Sequence, residues 1–400
     1  MLENQKGRMK LMKKAFAFLL SAVMVLTLFS APAFAAATAP SGQPVKIGLA
    51  TVLTGERAME GEYASNAAAI ITQEINDAGG VLGRPVQIVI EDGLGTDVGA
   101  VNAYRKLADD PEIVAIIGSD NSNDNIAISN DALQAQILTT AQGSSPKLRD
   151  ICNNDNPWLF QLRACEETMI DALIGFAVEE KGYQKFAIIH DTETNSSDQT
   201  RLFTEALQRR GVEPLVVVPF TTGTKDFTSH ITKIQQVEPE AIIGACLFNE
   251  AAIIAEQIRA FGMEDMPIFG SNAWADPVTL KLGGAALNGV YSAAAWVPNT
   301  TNPKGAAFAQ KYQELYGQVC AKAAAQIYDH VSVICAAIEK AGSTDRQAVR
   351  DAMTTIDSYA GAITTYDCRT NGDCGRGGLV VQIVDETPTV LQEIFSEKQI

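Results

Sequence analysis

Residues 45–92 read VKIGLATVLTGERAMEGEYASNAAAIITQEINDAGGVLGRPVQIVIED, and this stretch decides the fold. Val45–Thr51 is an apolar run, followed by a small polar loop. Tyr63, Ala67, Ile70, Ile71 and Ile75 then recur at helical spacing on one face. Asn76-Asp77-Ala78-Gly79-Gly80 ends that helix, and Pro85–Glu91 alternates like a strand. A strand, a helix and a second strand in this order form a parallel crossover unit, which implies an α/β sheet with helices packed on it. The loop Leu53–Gly61 leaves the carboxyl end of the first strand, the edge at which open α/β sheets bind their ligands.

The same alternation continues along the chain. Ile113–Ile117, Ile137–Thr140, Phe186–Ile189, Leu215–Val218, Ala241–Ile243 and Ile268–Phe269 read as buried parallel strands. Helical stretches are predicted near 96–109, 124–135, 166–181, 197–210, 225–236 and 249–262. This is the pattern of a doubly wound sheet rather than of a regular eight-unit barrel. From 303 to 354 the chain turns mostly helical, over Lys304–Tyr316, Ala321–Lys340 and Arg346–Met353. Short strand-like runs follow at 359–366, 378–384 and 390–394.

The amino terminus reads as a leader rather than as structure. Lys6, Arg8, Lys10, Lys13 and Lys14 precede the apolar run Ala15–Phe29, and Ala33-Phe34-Ala35 is a small-x-small cleavage site. Cleavage after Ala35 leaves 365 residues, too many for one ordinary core and suited to two lobes. No later apolar stretch is long enough to span a bilayer, and no cysteine near the cleavage site offers a lipid anchor. The mature protein is therefore expected free in an extracytoplasmic space, the periplasm. The net charge is −16 and becomes more negative without the basic leader, which repels nucleic acid.

All seven cysteines lie in the mature part, where pairing is chemically allowed. Cys152 and Cys165 bracket a loop rich in Asn, Asp and Pro. Cys368 and Cys374 bracket Arg-Thr-Asn-Gly-Asp. Both pairs are expected as local disulfides. Cys246 and Cys335 sit in apolar patterns as core thiols, Cys320 is unassigned, and the odd count leaves at least one thiol without a partner in the chain. No His–Cys spacing suggests a metal, and no cofactor motif occurs.

Several spaced motifs, in order, resemble the branched-chain amino-acid (leucine/isoleucine/valine) type of ABC-transporter solute-binding protein, the type I periplasmic binding proteins. They are Leu53-Thr54-Gly55, Gly61, and Glu74-Ile75-Asn76-Asp77-Ala78-Gly79-Gly80-Val81-Leu82-Gly83. Ala115-Ile116-Ile117-Gly118-Ser119, Ala187–Asp191, Thr224–Phe227, Ile268–Gly270, Tyr328-Asp329 and Ala336–Asp345 continue the match. The resemblance implies two doubly wound α/β lobes joined by a three-strand hinge, with crossings near 163–166, 293–297 and 356–360. Lobe one would be 44–164 plus 296–357, and lobe two 165–295 plus 358–400. It further implies a small ligand, an amino acid or related carboxylate, held between the lobes by hinge closure and passed to an ABC permease by a monomeric binding protein.

Gly118–Asn125 follows a buried strand and opens a helix, and Thr140–Pro146 repeats that arrangement. Helix starts with free N–H groups, hydroxyls and amides suit carboxylates. In the family these two loops grip the α-carboxylate and ammonium. The matching positions are Ser122, Gly143, Ser144 and Ser145, with Ser122 and Ser145 donating and the Gly143 carbonyl accepting. The plainer reading is that these side chains only cap helices. Elsewhere the chain departs from the family. Glu60, beside Met59, stands where an aromatic is usual; Asn195 replaces one tyrosine, and Leu247, followed by Phe248, another. Asn272 stands where a glutamate pairs the ammonium. Either another carboxylate among Glu60, Asp120, Asp191 and Asp276 takes that role, or the ligand carries no ammonium. Trp274 and Phe248 would then wall an apolar part of the ligand, or simply pack in core or hinge. Asp120, Glu60 and Asn195 together predict a more polar site than one for leucine or valine.

Enzyme readings have little material. There are three histidines, no Gly-x-Ser-x-Gly elbow and no phosphate loop, and Gly79-Gly80-x-x-Gly83 follows a helix rather than opening one. His190 and Asp191 are strand neighbours and point to opposite faces. A transport-linked binding protein is thus expected. The alternative is a ligand sensor on the same fold, taking an aromatic acid or amide, with a secreted hydrolase more distant.

Overall fold

The computed structural model describes residues 39–395 apart from Glu56, Thr370 and Asn371; the expected leader 1–35 lies outside them. The chain runs β1 (Val45–Thr51), α1 (Ala58–Asp77), β2 (Val86–Asp92), α2 (Asp97–Ala108), β3 (Ile113–Ile117), α3 (Ser122–Ala127), α4 (Ser129–Ala135), β4 (Leu138–Ala141), α5 (Pro146–Asp150) and β5 (Leu159–Gln161). Next come α6 (Glu166–Gly175), β6 (Phe186–Asp191), α7 (Thr194–Gln208), β7 (Val216–Phe220), α8 (Thr228–Gln235), β8 (Ala241–Ala245), α9 (Phe248–Ala260), β9 (Ile268–Gly270), α10 (Pro277–Gly283) and β10 (Tyr291–Ala294). The last part holds α11 (Pro303–Tyr316), α12 (Lys322–Ala341), α13 (Arg346–Met353), β11 (Tyr359–Ala360), β12 (Thr365–Tyr366), β13 (Gly377–Val384) and β14 (Thr387–Phe395).

Two sheets result. The first is parallel throughout, in the order β2-β1-β3-β4-β5. The second repeats that order as β7-β6-β8-β9-β10 and then adds β13 and β14 antiparallel at its far edge. In each sheet the connection reverses direction beside the first strand, between β1 and β3 and between β6 and β8. A crevice opens at the carboxyl ends of strands at such a reversal. The fold is thus the mixed α/β architecture expected, with apolar strands buried on both faces because helices cover both.

The helices after residue 303 return to the first sheet. Phe308, Tyr312, Ile327, Ile334 and Val349 share one core with Ile47, Leu49 and Ile117. Ala362, Tyr366, Cys368 and Cys374 are buried in that same core. The turn beyond β11 is fastened by Asp329, fully buried on α12, whose carboxylate accepts from Ala362 N at 2.5 Å, Ile363 N at 2.8 Å and the Tyr366 hydroxyl at 2.7 Å. A buried carboxylate is tolerated where hydrogen bonds replace the lost water.

Local structure departs from the periodicity in three places. The helix expected over 124–135 is two helices meeting at Ile128. The one expected over 166–181 is α6 followed by a π turn at Phe176–Glu180. β5 has only three residues, too few to show a period.

The cysteine expectations divide. Cys368 and Cys374 form a disulfide, whereas Cys152 and Cys165 are buried free thiols, which corrects the second expected pair. The chain between them is not an open loop. It contains a π turn, Ile151–Asp155, and then β5. Cys152 packs with Ala141, Leu148 and Leu159, while Cys165 precedes α6 and its sulfur faces Arg149 Nη1 at 3.6 Å. Burial pushes the Cys165 thiol up to about 12, with Arg149 drawing it partly back. Cys246, Cys320 and Cys335 are likewise buried and free.

Candidate functional site

Loops from the carboxyl ends of β1, β3 and β4 carry the candidates of the first sheet. The connection after β3 is held from behind by amides. Asn125, fully buried, donates to Ser119 O at 2.8 Å and Asn121 O at 2.6 Å. The Gln142 side chain donates to Gly118 O at 2.5 Å, and Gln326 on α12 donates to Gln142 O at 3.1 Å. His330, one turn further along α12, meets Thr140 Oγ1 at 2.8 Å. Its burial holds the imidazole neutral, with the protonation equilibrium lowered to about 3.

The structure brings the four serine–glycine candidates together. Ser122 Oγ accepts from Ser145 N at 3.2 Å, joining the two loops. Gly143 permits that approach, because a Cβ there would lie 2.4 Å from Ser122 Oγ. The Gly143 carbonyl accepts from Gln161 Nε2 at 2.8 Å, Ser144 O accepts from Glu166 N at 2.8 Å, and Ser145 Oγ caps α5 by accepting from Lys147 N at 3.2 Å. Each hydroxyl keeps its own proton for a further acceptor.

Charged side chains gather beside these loops. Asp120 is gripped by Lys322 Nζ at 2.8 Å and 3.0 Å, with Arg163 Nη1 at 3.9 Å. Glu60 pairs with Arg57 at 2.7 Å and 3.1 Å, and Arg57 also reaches Asp124 at 3.5 Å. Burial pushes the Glu60 carboxyl up against the pull of Arg57. Lys322, Arg163 and Arg57 were not among the sequence candidates. One signal existed for Lys322: a cation at the first position of a helix opposes the helix dipole and calls for a local reason. That reason is Asp120, which lies 202 positions away in sequence.

On the second sheet, the carboxyl ends of β6, β8 and β9 point their loops to the equivalent edge. Asn195 is exposed in the first turn of α7, and Phe248, half-buried, opens α9. Asp191 is committed to its own loop, accepting from Glu193 N and Ser196 Oγ at 2.8 Å each. Asn272 accepts from Ala295 N at 3.2 Å. Trp274 is fully buried over the second sheet rather than on a cleft wall. A Cβ on Gly244 would lie 2.1 Å from its ring and one on Gly270 2.2 Å, so those glycines form the trough that holds the indole.

A cavity joins the two sets. Asn272, Ala275, Asp276, Pro277, Ala294 and Trp296 line it from the second sheet and its exit strand, and Cys320 and Lys322 from the other side. Asp276 caps α10, accepting from Val278 N at 2.9 Å. Burial raises its carboxyl from the ordinary value; Lys322 opposes that rise and Asp120 adds to it. Among the described residues no cluster of metal-ligating side chains occurs, and no helix is long and apolar enough to cross a membrane. The arrangement offers hydrogen-bonding loops and fixed charges, groups suited to holding a small polar ligand.

Comparison with known proteins agrees with this architecture. A Thermotoga maritima leucine binding protein has a TM-score of 0.77 at 23% identity, covering 88% of this chain and 99% of that one. A Streptococcus pneumoniae branched-chain amino acid transporter substrate binding protein, solved with isoleucine, has a TM-score of 0.76 at 20% identity over 88% of this chain and 99% of that one. At such identities the likeness is one of fold. A Brucella melitensis relative, Leu/Ile/Val-binding protein homolog 3, is 25% identical over 333 residues, 81% of this chain and 88% of that relative. The family model for periplasmic binding proteins matches residues 44–387, nearly the whole described chain, and the chain therefore belongs to the periplasmic binding protein family.

Proposed function

We propose that this protein is the extracytoplasmic solute-binding component of an ABC importer. It captures an amino acid or related small carboxylate between its two α/β lobes and delivers it to the permease without chemical change. The lobes are 44–164 with 296–357 and 165–295 with 358–400, with the stretch as far as Cys374 packed on the first. The leader is removed after Ala35, and the mature monomer acts in the periplasm. The supporting observation is the cavity lined by Asn272 and Asp276 from the second sheet and by Lys322 from the other side, the same lysine whose ammonium holds Asp120 at the ligand edge of the first sheet.

Asp276 is the carboxylate that receives the ligand ammonium. Glu60 and Asp120 already hold cations, and each oxygen of Asp191 accepts a hydrogen bond from its own loop. Asp276 has one backbone donor and, among the described residues, no ion-pair partner in contact, and the field of Lys322 only partly offsets its burial beside the cavity. A buried charge without a partner is costly, and a ligand ammonium would relieve that cost. The α-carboxylate would lie against Ser122, Ser144 and Ser145.

A thermal-shift and calorimetric panel of amino acids, aromatic acids, amides and polyamines tests the function. At least one α-amino acid should raise the melting temperature in step with RT ln(1 + [L]/Kd). In Asp276→Asn, which keeps the helix cap, affinity for that amino acid should fall roughly 30-fold or more, the ordinary cost of truncating one side of a buried charge pair. Its deaminated analogue should bind wild type and variant alike. No shift with any small carboxylate would overturn the reading, and tight binding of an aromatic acid alone would favour the sensor alternative.

A further inference from the structure

Gln161 is the last residue of the edge strand β5, fully buried. Its side-chain amide donates to Gly143 O at 2.8 Å and reaches Ser145 O at 3.5 Å. Both acceptors are carbonyls, so the orientation of the amide follows from its partners. Its own oxygen, Oε1, is buried without a hydrogen-bond partner. Leaving a buried acceptor unsatisfied is destabilising, so a native side chain that does so calls for an explanation. Here the amide is spent on the loop 143–145.

The backbone of Gln161 is clamped as well. Gln161 N donates to Gly372 O at 2.6 Å, and Cys374 N donates to Gln161 O at 2.8 Å, so the turn closed by the Cys368–Cys374 disulfide continues the first sheet beyond β5. Cys368 N in turn donates to Ile356 O at 3.0 Å. One residue thus receives the disulfide turn on its main chain and passes it to the binding loop through its side chain. In a trans peptide the carbonyl and the following N–H point in opposite directions. Pinning Gly143 O to Gln161 therefore turns the Ser144 N–H to the other side of the loop, free to serve the ligand carboxylate that the proposed function places against 144–145.

We infer that Gln161 is a positioning residue of the ligand site, and that the Cys368–Cys374 turn acts on ligand binding through it. This rests on the function proposed above only in taking 143–145 as a ligand loop. Two variants, Gln161→Leu and the pair Cys368→Ser/Cys374→Ser, are made separately and together in the full mature chain. The first readout needs no ligand: amide hydrogen exchange of segment 142–149. It should quicken in Gln161→Leu about tenfold or more, the worth of one lost hydrogen bond, while segments of the second sheet exchange at wild-type rates. The second readout is affinity for the tightest-binding member of the amino-acid panel. It should fall about tenfold in Gln161→Leu, less in the cysteine variant, and no further when the cysteine changes are added to Gln161→Leu, because the turn acts through the missing amide. A purely structural role would instead add the two effects on stability and leave affinity unchanged. Wild-type exchange in 142–149 of Gln161→Leu, or additive affinity losses, would overturn the inference. If no amino acid binds the wild type, the function reading fails, while the exchange result still decides whether Gln161 holds the loop.

Discussion

Trp274 and the two glycines beneath it form a unit whose energetics can be worked out from the structure. In Gly270→Ala the new Cβ would stand 2.2 Å from Trp274 Cγ, far inside van der Waals contact, so the indole or the strand must move by more than about 1 Å. Overpacking of this kind costs about 1–3 kcal/mol. Trp274→Leu vacates much of a fully buried site and should cost about 3 kcal/mol, near the lower end for losing a buried Trp. The double variant removes the clash, because leucine leaves room for the Cβ. It should therefore cost little more than Trp274→Leu alone, a favourable coupling of about 1–3 kcal/mol. Urea unfolding followed by far-UV circular dichroism measures all four proteins without relying on the deleted fluorophore. Additive losses, within about 0.5 kcal/mol, would refute the trough. Ligand affinity should be retained in every variant that remains folded, since the ring faces the core of the second sheet.

His330 predicts an acid dependence. Its folded value is lowered to about 3 from an ordinary 6.5, so at neutral pH both states are uncharged and no penalty applies. As pH falls below 6.5 the unfolded chain takes up a proton that the buried ring refuses, and stability drops by up to about 1.4 kcal/mol per pH unit until about pH 3. Unfolding free energies from pH 7 to pH 4.5 should show this slope in the wild type and a shallower one in His330→Gln; parallel slopes would sink the assignment. Thiol titration checks the cysteine state. The native protein should react slowly at its five buried thiols and release all five in denaturant without reductant, whereas three would reveal the Cys152–Cys165 bond that the fold does not form.

What could be read from the sequence was whatever depends on neighbours a few residues away. Apolar runs and helical spacing located nearly every strand and helix, and the turn after Asp77 forms as its glycines require, with Gly80 N donating to Ile75 O at 2.9 Å. The carboxyl-edge loops also followed from strand order, because parallel crossovers place them there. Cys368 and Cys374, six residues apart, could be paired on spacing alone.

The rest belonged to the tertiary structure, because it depends on which distant residues share a space. Lys322 and Asp120 make one ion pair across 202 positions, and no local pattern announces it. The same limit hid Gln161, whose role exists only where a strand edge, a disulfide turn and a loop meet. For Trp274 the sequence allows cleft or core, and the close approach of Gly244 and Gly270 to its ring places it in the core. Cys152 and Cys165 looked like a staple only while the chain between them passed for a loop. Periodicity reports the face a residue presents, since that follows from backbone geometry. It carries no information about what the face meets, and in this protein the candidate site is made of such meetings.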